Sequence, residues 1–184
     1  MATPIAQPPI AALDIGSSKV SALIVAHDED GRLRVMGSGH RESRGVKRGY
    51  VTDMDASEVA VREAVESAER MSGVTIDDVW ASFGAGGITS EEVPVDLELG
   101  GHQVEQSDID QLLREGREAI DQGPRTVLHA HPALFTIDGV EGVRNPIGLH
   151  AGKLGVDIHV VAADPAPLKN LDFVIRSAHL GVRA

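Results

Sequence analysis

The chain has 184 residues, a formal net charge of −11, no cysteine, and 42% hydrophobic but only 3% aromatic residues. That length allows one domain or a small pair with an aliphatic core, and the missing cysteines exclude disulfides and thiolate metal sites. The acidic balance argues against a nucleic-acid partner. No Lys or Arg precedes Lys19, and no stretch approaches the roughly 20 apolar residues of a membrane span, so the chain reads as cytoplasmic and soluble.

Residues 1–9 hold three prolines and are expected to be a disordered lead-in. An apolar run, Ile10 to Leu13, leads into Asp14-Ile15-Gly16-Ser17-Ser18-Lys19, and a second run, Val20 to Ala26, leaves it. Four residues between two strands must turn tightly, and Gly16 is expected to supply a backbone angle that a side chain would forbid. Ser17, Ser18 and Lys19 gather hydroxyls, backbone N–H groups and a cation at one spot. An acidic strand end followed by such a turn suits a phosphate with its Mg²⁺: Asp14 toward the ion or its water shell, the turn amides toward phosphate oxygens. An ordinary β-hairpin explains the same stretch.

Strand two is apolar on both faces, as in a strand covered on both sides. Leu33, Val35 and Met36 make a third strand stopped by Gly37-Ser38-Gly39, completing an antiparallel meander. Arg41 to Thr52 reads as a loop, and its basic residues Arg41, Arg44, Lys47 and Arg48 as a solvated cluster. Asp55 with Glu58 signals a helix start. Val61, Ala64, Val65, Ala68 and Met71 recur at helical spacing, and Gly73 ends the run. Glu58, Glu63, Glu66 and Glu69 read as its solvated face. Val79 to Phe83 is a strand reached by a crossover, hence parallel, with Trp80 and Phe83 expected in the core.

From Gly84, with Gly86 and Gly87, the texture changes. Val93, Val95, Leu97 and Leu99 alternate as a half-exposed strand. Ser107 opens a helix with Ile109, Leu112, Leu113, Ala119 and Ile120 inward, stopped by Gly123-Pro124. Thr126 to Ile137 is a strand bent or broken at Pro132, and Asn145 to Leu149 is a turn. Val156, Ile158 and Val160 lie on a last strand. Asp164-Pro165 opens a helix with Leu168, Leu171, Val174, Ile175 and Ala178 inward, ended by Gly181. Another strand is expected where the sequence stops. His129 and His131 share one strand face but have no third zinc ligand at a standard spacing, so a structural role is expected. Ser17 and Ser18 have no evident histidine partner for hydrolase chemistry.

Several motifs occur in a fixed order: Leu13 to Val20, Ser43-Arg44-Gly45, Lys47-Arg48-Gly49, Thr126-Val127-Leu128-His129, Ile137-Asp138 and Asn145-Pro146-Ile147-Gly148-Leu149. In these the chain resembles the N-terminal part of the FtsA family of bacterial actin-like cell-division proteins. The resemblance implies an α/β (α+β) fold, a partial actin-like, ribonuclease H-like ATPase lobe with a mixed sheet and an inserted β-α-β-β, SHS2-like subdomain. Residues 10–84 and 164–184 would be an incomplete subdomain 1A, and 85–163 the inserted subdomain 1C. Asp14, Gly16, Ser17, Ser18 and Lys19 would be the first phosphate loop, with Asp14 holding Mg²⁺ through water. Residues 85–87 read Ala-Gly-Gly where the family often carries a lysine or histidine.

The family implies an adaptor rather than an enzyme, with weak ATPase activity at most in its full-length form. It binds ATP and Mg²⁺, forms filaments with its own copies, and contacts later division proteins through 85–163. FtsZ and the inner membrane's cytoplasmic face at the division site would be reached through regions beyond Ala184, the membrane through a C-terminal helix. The second phosphate loop and second lobe would also lie there, so the chain is expected to be a fragment that binds ATP no better than about millimolar. Exposed apolar surface should then make it self-associate. Two alternatives remain. One is a sugar or acetate kinase relative sharing the opening loop, though no catalytic base is identifiable. The other is an interaction module in which 85–163 does all the work.

Overall fold

The computed structural model describes residues 8–85, 87–120 and 123–183; most of the N-terminal lead-in and the glycine at 86 lie outside them. In chain order the elements are β1 (Ile10–Ile15), β2 (Lys19–His27), β3 (Leu33–Glu42), β4 (Val46–Lys47), β5 (Tyr50–Val51), α1 (Met54–Ser72), β6 (Asp78–Ala81), β7 (Thr89–Glu98), α2 (Gln106–Ala119), β8 (Thr126–Ile137), β9 (Val140–Val143), β10 (Lys153–Ala163), α3 (Pro165–Ser177) and β11 (Gly181–Val182). They form two units: Met1–Gly86 with Ala166–Ala184, and Gly87–Pro165. Among the described residues no helix is long and apolar enough to cross a membrane.

The first unit holds a five-stranded sheet in the order β11-β6-β1-β2-β3. β1, β2 and β3 form the expected meander, and β6 and β11 run parallel to their neighbours. Strand periodicity sorts the residues: Ala11, Leu13 and Ile15 face one way with Val20, Ala22 and Ile24, and join a core with Val61, Ala64 and Ala68 of α1 and Val174 and Ile175 of α3. The opposite face is open. Leu23 is 38% exposed and Trp80 49%, so β2 is not covered on both sides and Trp80 is not a core residue. Phe83 does pack against the core. The strand expected at the end of the chain is β11.

β3 does not stop at Gly37-Ser38-Gly39; it runs on to Glu42, which pairs with Lys19. These glycines serve packing. A methyl group at Gly37 would overlap the Ala68 carbonyl, and one at Gly39 the Ala64 carbonyl, so α1 lies directly on the strand backbone. The Arg41 to Thr52 stretch is likewise not a plain loop. β4 and β5 pair across Arg48 (φ 53°) and Gly49 (φ 82°), a two-residue turn with both residues left-handed. α1 is capped by Asp53 rather than Asp55, its carboxylate accepting from the Ala56 N–H at 3.0 Å. Gly73 ends α1 as expected, while Met71 is 63% exposed. α3 ends at Ser177, before Gly181, with His179 in the left-handed region (φ 64°).

The second unit is an antiparallel sheet in the order β7-β10-β8-β9 with α2 on it. Its core joins Leu99, Val104, Ile109 and Leu112 to Leu154, Val156, Ile158 and Val160. β7 alternates as read, with Val93, Val95 and Leu97 half-buried. Pro132 does not break β8; the register slips between Ile158↔Pro132 and Val156↔Phe135, a bulge that absorbs the missing N–H. α2 is capped by Glu105 in a capping box with Asp108, two residues before the expected Ser107. Gly116 rather than Ala119 faces the sheet. Arg125 joins the two ends of the unit: it donates to the Gly87 carbonyl at 2.7 Å and lies 3.3 Å from the Asp164 carboxylate.

Candidate functional site

The Gly16–Lys19 turn joins β1 to β2, neighbours in the sheet that pair through Ile15↔Val20. The Gly16 N–H donates to the Lys19 carbonyl (3.0 Å) and closes the turn. Gly16 is not in the left-handed region, contrary to expectation. Its smallness matters instead: a Cβ would lie 3.1 Å from the Lys19 oxygen and 3.8 Å from Asp14 Oδ2. Since the Gly16 amide is spent inside the turn, the amides left for an anion are those of Ser17 and Ser18, from which no hydrogen bond exists among the described residues.

Two other segments brace this turn. The Gly49 N–H donates to Ser17 Oγ (3.0 Å), and the Ser43 N–H donates to the Ser18 carbonyl (3.0 Å). Gly49 admits no side chain: its φ is 82°, and a Cβ would stand 2.7 Å from Ala85 Cα and 2.8 Å from the Gly84 carbonyl. Ser17 Oγ thus accepts one bond and keeps its proton to donate. The side chains of Ser17, Ser18 and Lys19 are exposed.

Asp14 ends the open face of β1, opposite Ser21. Its Oδ1 accepts from Ser82 Oγ at 2.5 Å, and the Ser82 N–H donates to the Leu13 carbonyl at 2.9 Å. A carboxylate, two hydroxyls, two amides and a lysine therefore share one corner of the sheet. This donor set fits a phosphate, and the oxygen-only acidic group fits a hard cation such as Mg²⁺. Sequence reading named the turn but missed Ser43, Gly49 and Ser82. The Arg48-Gly49 pair between Val46-Lys47 and Tyr50-Val51 was an available hairpin signal.

The remaining candidates are structural. Arg41 pairs with Glu63 (3.1 Å) and Arg44 with Glu42 (3.0 Å), so half of the basic cluster is neutralised. Glu58 and Glu66 pair with Arg62 and Arg70 one turn on. Glu69 is not a solvated face residue, because its carboxylate accepts from the Ile76 N–H at 2.8 Å. His129 and His131 stack with ring centroids 5.8 Å apart, and β10 sets His159 opposite His131. Even so, no group of three or more His, Cys, Asp or Glu is arranged to hold a metal among the described residues.

Residues 85–162 match the family model described as the SHS2 domain inserted in FtsA. The cell division protein FtsA of Rhizobium meliloti is 38% identical over 183 residues, covering 94% of this chain and 41% of the relative. The chain resembles the N-terminal part of FtsA. FtsA of Pseudomonas aeruginosa is 30% identical, and FtsA of Escherichia coli K12 26% identical over 88% of this chain and 39% of the relative. The chain thus spans about two fifths of the FtsA relatives it matches. A chain of a PilM–PilN type IV pilus biogenesis complex matches 95% of this chain and 46% of its own, with a TM-score of 0.60 at 14% identity. The fold is that actin-like lobe, a mixed sheet interrupted by the FtsA-type insert.

Proposed function

We propose that the chain is part of a bacterial division adaptor that binds Mg²⁺-ATP, with the Asp14–Lys19 corner as its first phosphate-binding element. The observation that carries this reading is sequence similarity to FtsA across both units, together with a phosphate-type donor set at the bend between β1 and β2. Mg²⁺ supplies charge neutralisation and a water shell when bound. Asp14 would hold that shell, the Ser17 and Ser18 hydroxyls and amides would take phosphate oxygens, and Lys19 would add a cation.

Nucleotide here acts as a conformational and assembly ligand, not as a substrate to be turned over rapidly. The second unit would contact neighbouring copies and later division proteins. The whole protein would work on the cytoplasmic face of the membrane at the division site and connect it to the FtsZ ring. An ATP site needs walls on both sides of the ligand, and these residues supply one wall. Micromolar Mg²⁺-ATP affinity is therefore expected of the full-length protein, and no better than about millimolar of the 184 residues.

The test is calorimetry and cell biology on the full-length protein. Asp14→Ala should weaken Mg²⁺-ATP binding about a hundredfold, and depletion of the protein should give filamentous cells that the Asp14→Ala form fails to rescue. Full rescue by Asp14→Ala would refute the nucleotide role. Phosphoryl transfer to a sugar or acetate would favour a kinase instead.

A further inference from the structure

We propose that Ser82, the residue after β6, is a positioning residue that aims Asp14 at the metal of a magnesium-bound phosphate; this rests on the nucleotide reading above. Asp14 is exposed, and a free exposed carboxylate samples several rotamers. Here one oxygen is tied, since Ser82 Oγ donates to Oδ1 at 2.5 Å.

Ser82 is itself fixed by the sheet. The parallel pairs Ala12↔Trp80 and Leu13↔Ala81 continue into the bond from the Ser82 N–H to the Leu13 carbonyl, 2.9 Å. The hydroxyl therefore stands where the β1–β6 ladder places it, 68 residues away in sequence from the acid it holds. The other oxygen, Oδ2, stays on the turn side. It is the atom that a Cβ on Gly16 would approach at 3.8 Å.

The kind of partner matters. A lysine or arginine at position 82 would orient Asp14 but cancel its charge. A hydroxyl orients it and leaves the charge whole, which is what a hydrated divalent cation requires. A bare phosphate gains nothing from the arrangement, because an ordered carboxylate repels it. Ser82 should therefore count when the phosphate arrives with its metal, and not otherwise.

The experiment titrates ATP into the full-length protein, once with Mg²⁺ and once with chelator, for wild type, Ser82→Ala, Ser82→Thr, Asp14→Ala and the Asp14→Ala/Ser82→Ala double variant. Ser82→Ala should weaken Mg²⁺-ATP binding about five- to tenfold and leave metal-free ATP within about twofold. Ser82→Thr, which keeps the hydroxyl, should restore the wild-type value. In the Asp14→Ala background Ser82→Ala should cost nothing further. Equal weakening with and without metal, or no weakening, overturns the positioning role while the nucleotide site stands. If wild type fails to bind Mg²⁺-ATP, or Asp14→Ala binds as well as wild type, the nucleotide reading falls and the role of Ser82 with it.

Discussion

In the unit that carries the turn, the sheet gives way to the helix. In the inserted unit, the helix gives way to the sheet. α1 rests on Gly37 and Gly39 of β3, where an added methyl would meet helix carbonyls. α2 instead places its own Gly116 over β10, where an added methyl would meet Ile158 Cδ1. The neighbour differs in kind: backbone in the first case, the far end of a flexible side chain in the second. A strand packed against helix backbone cannot shift without moving the helix. That fixes β3, and through the Lys19↔Glu42 pair the end of the turn. The inserted unit has slack in its helix seat.

The largest expected effect breaks the stiff seat. Gly39→Val would force the Ala64 carbonyl and Ser67 Cβ aside, and should destabilise the first unit by about 3 kcal/mol in urea unfolding. A loss under about 1 kcal/mol would mean that α1 can lift, and the contrast between the units would disappear.

Next comes the brace on the turn. Gly49→Ala combines a left-handed φ with close approach to Ala85 and Gly84, and should cost about 2 kcal/mol. It should also free Ser17 from the Gly49 N–H, which broader amide resonances of Ser17 and Ser18 would reveal. Unchanged resonances would show that the hairpin tip does not hold the turn.

Those two positions also mark what could be seen in the sequence. Local order was legible: the β1–turn–β2 bend, the α1 stripe of Val61, Ala64, Val65 and Ala68, the stop at Gly73 and the alternation in β7 all follow from nearest neighbours. Gly37 and Gly39 were misread as a strand stop because a glycine looks the same whether it ends a strand or admits a helix. Trp80 was misplaced because a large apolar residue predicts burial, not which sheet face is covered. Of the corner around Asp14, the contiguous turn was visible. Gly49 and Ser82 were not, lying 32 and 68 residues from their partners with no periodicity linking them.

A smaller effect is expected in the flexible seat. Gly116→Ala gains helix propensity of roughly 1 kcal/mol and loses a similar amount pushing Ile158 Cδ1 aside. The net change in the second unit's stability should lie within about 1 kcal/mol, against about 3 for Gly39→Val. If Gly116→Ala proved as damaging, the two seats would be equally rigid.

The smallest effect concerns the polar detail at the start of α2. His102 donates from one ring nitrogen to the Asp108 carboxylate (3.1 Å) and from the other to the Leu99 carbonyl, as the doubly protonated ring can. The Asp108 bond, then the Leu99 bond, raise the His102 pKa above its ordinary 6.5. The Glu105 N–H, then His102, lower the Asp108 pKa below its ordinary 3.8. The signs oppose. The histidine contribution is whole below 6.5 and fades as pH rises through its raised value; the aspartate contribution is whole above 3.8 and fades as pH falls through its lowered value. The first turn of α2 should therefore be best protected from amide exchange between those two ordinary values, and Asp108→Asn should bring the His102 titration down toward 6.5. His102 is exposed and Asp108, though half-buried, sits in the first turn of α2, so the change belongs to fraying of that turn rather than to global unfolding. A His102 titration unmoved by Asp108→Asn would remove the pair as a cap and leave Glu105 to hold the helix start alone.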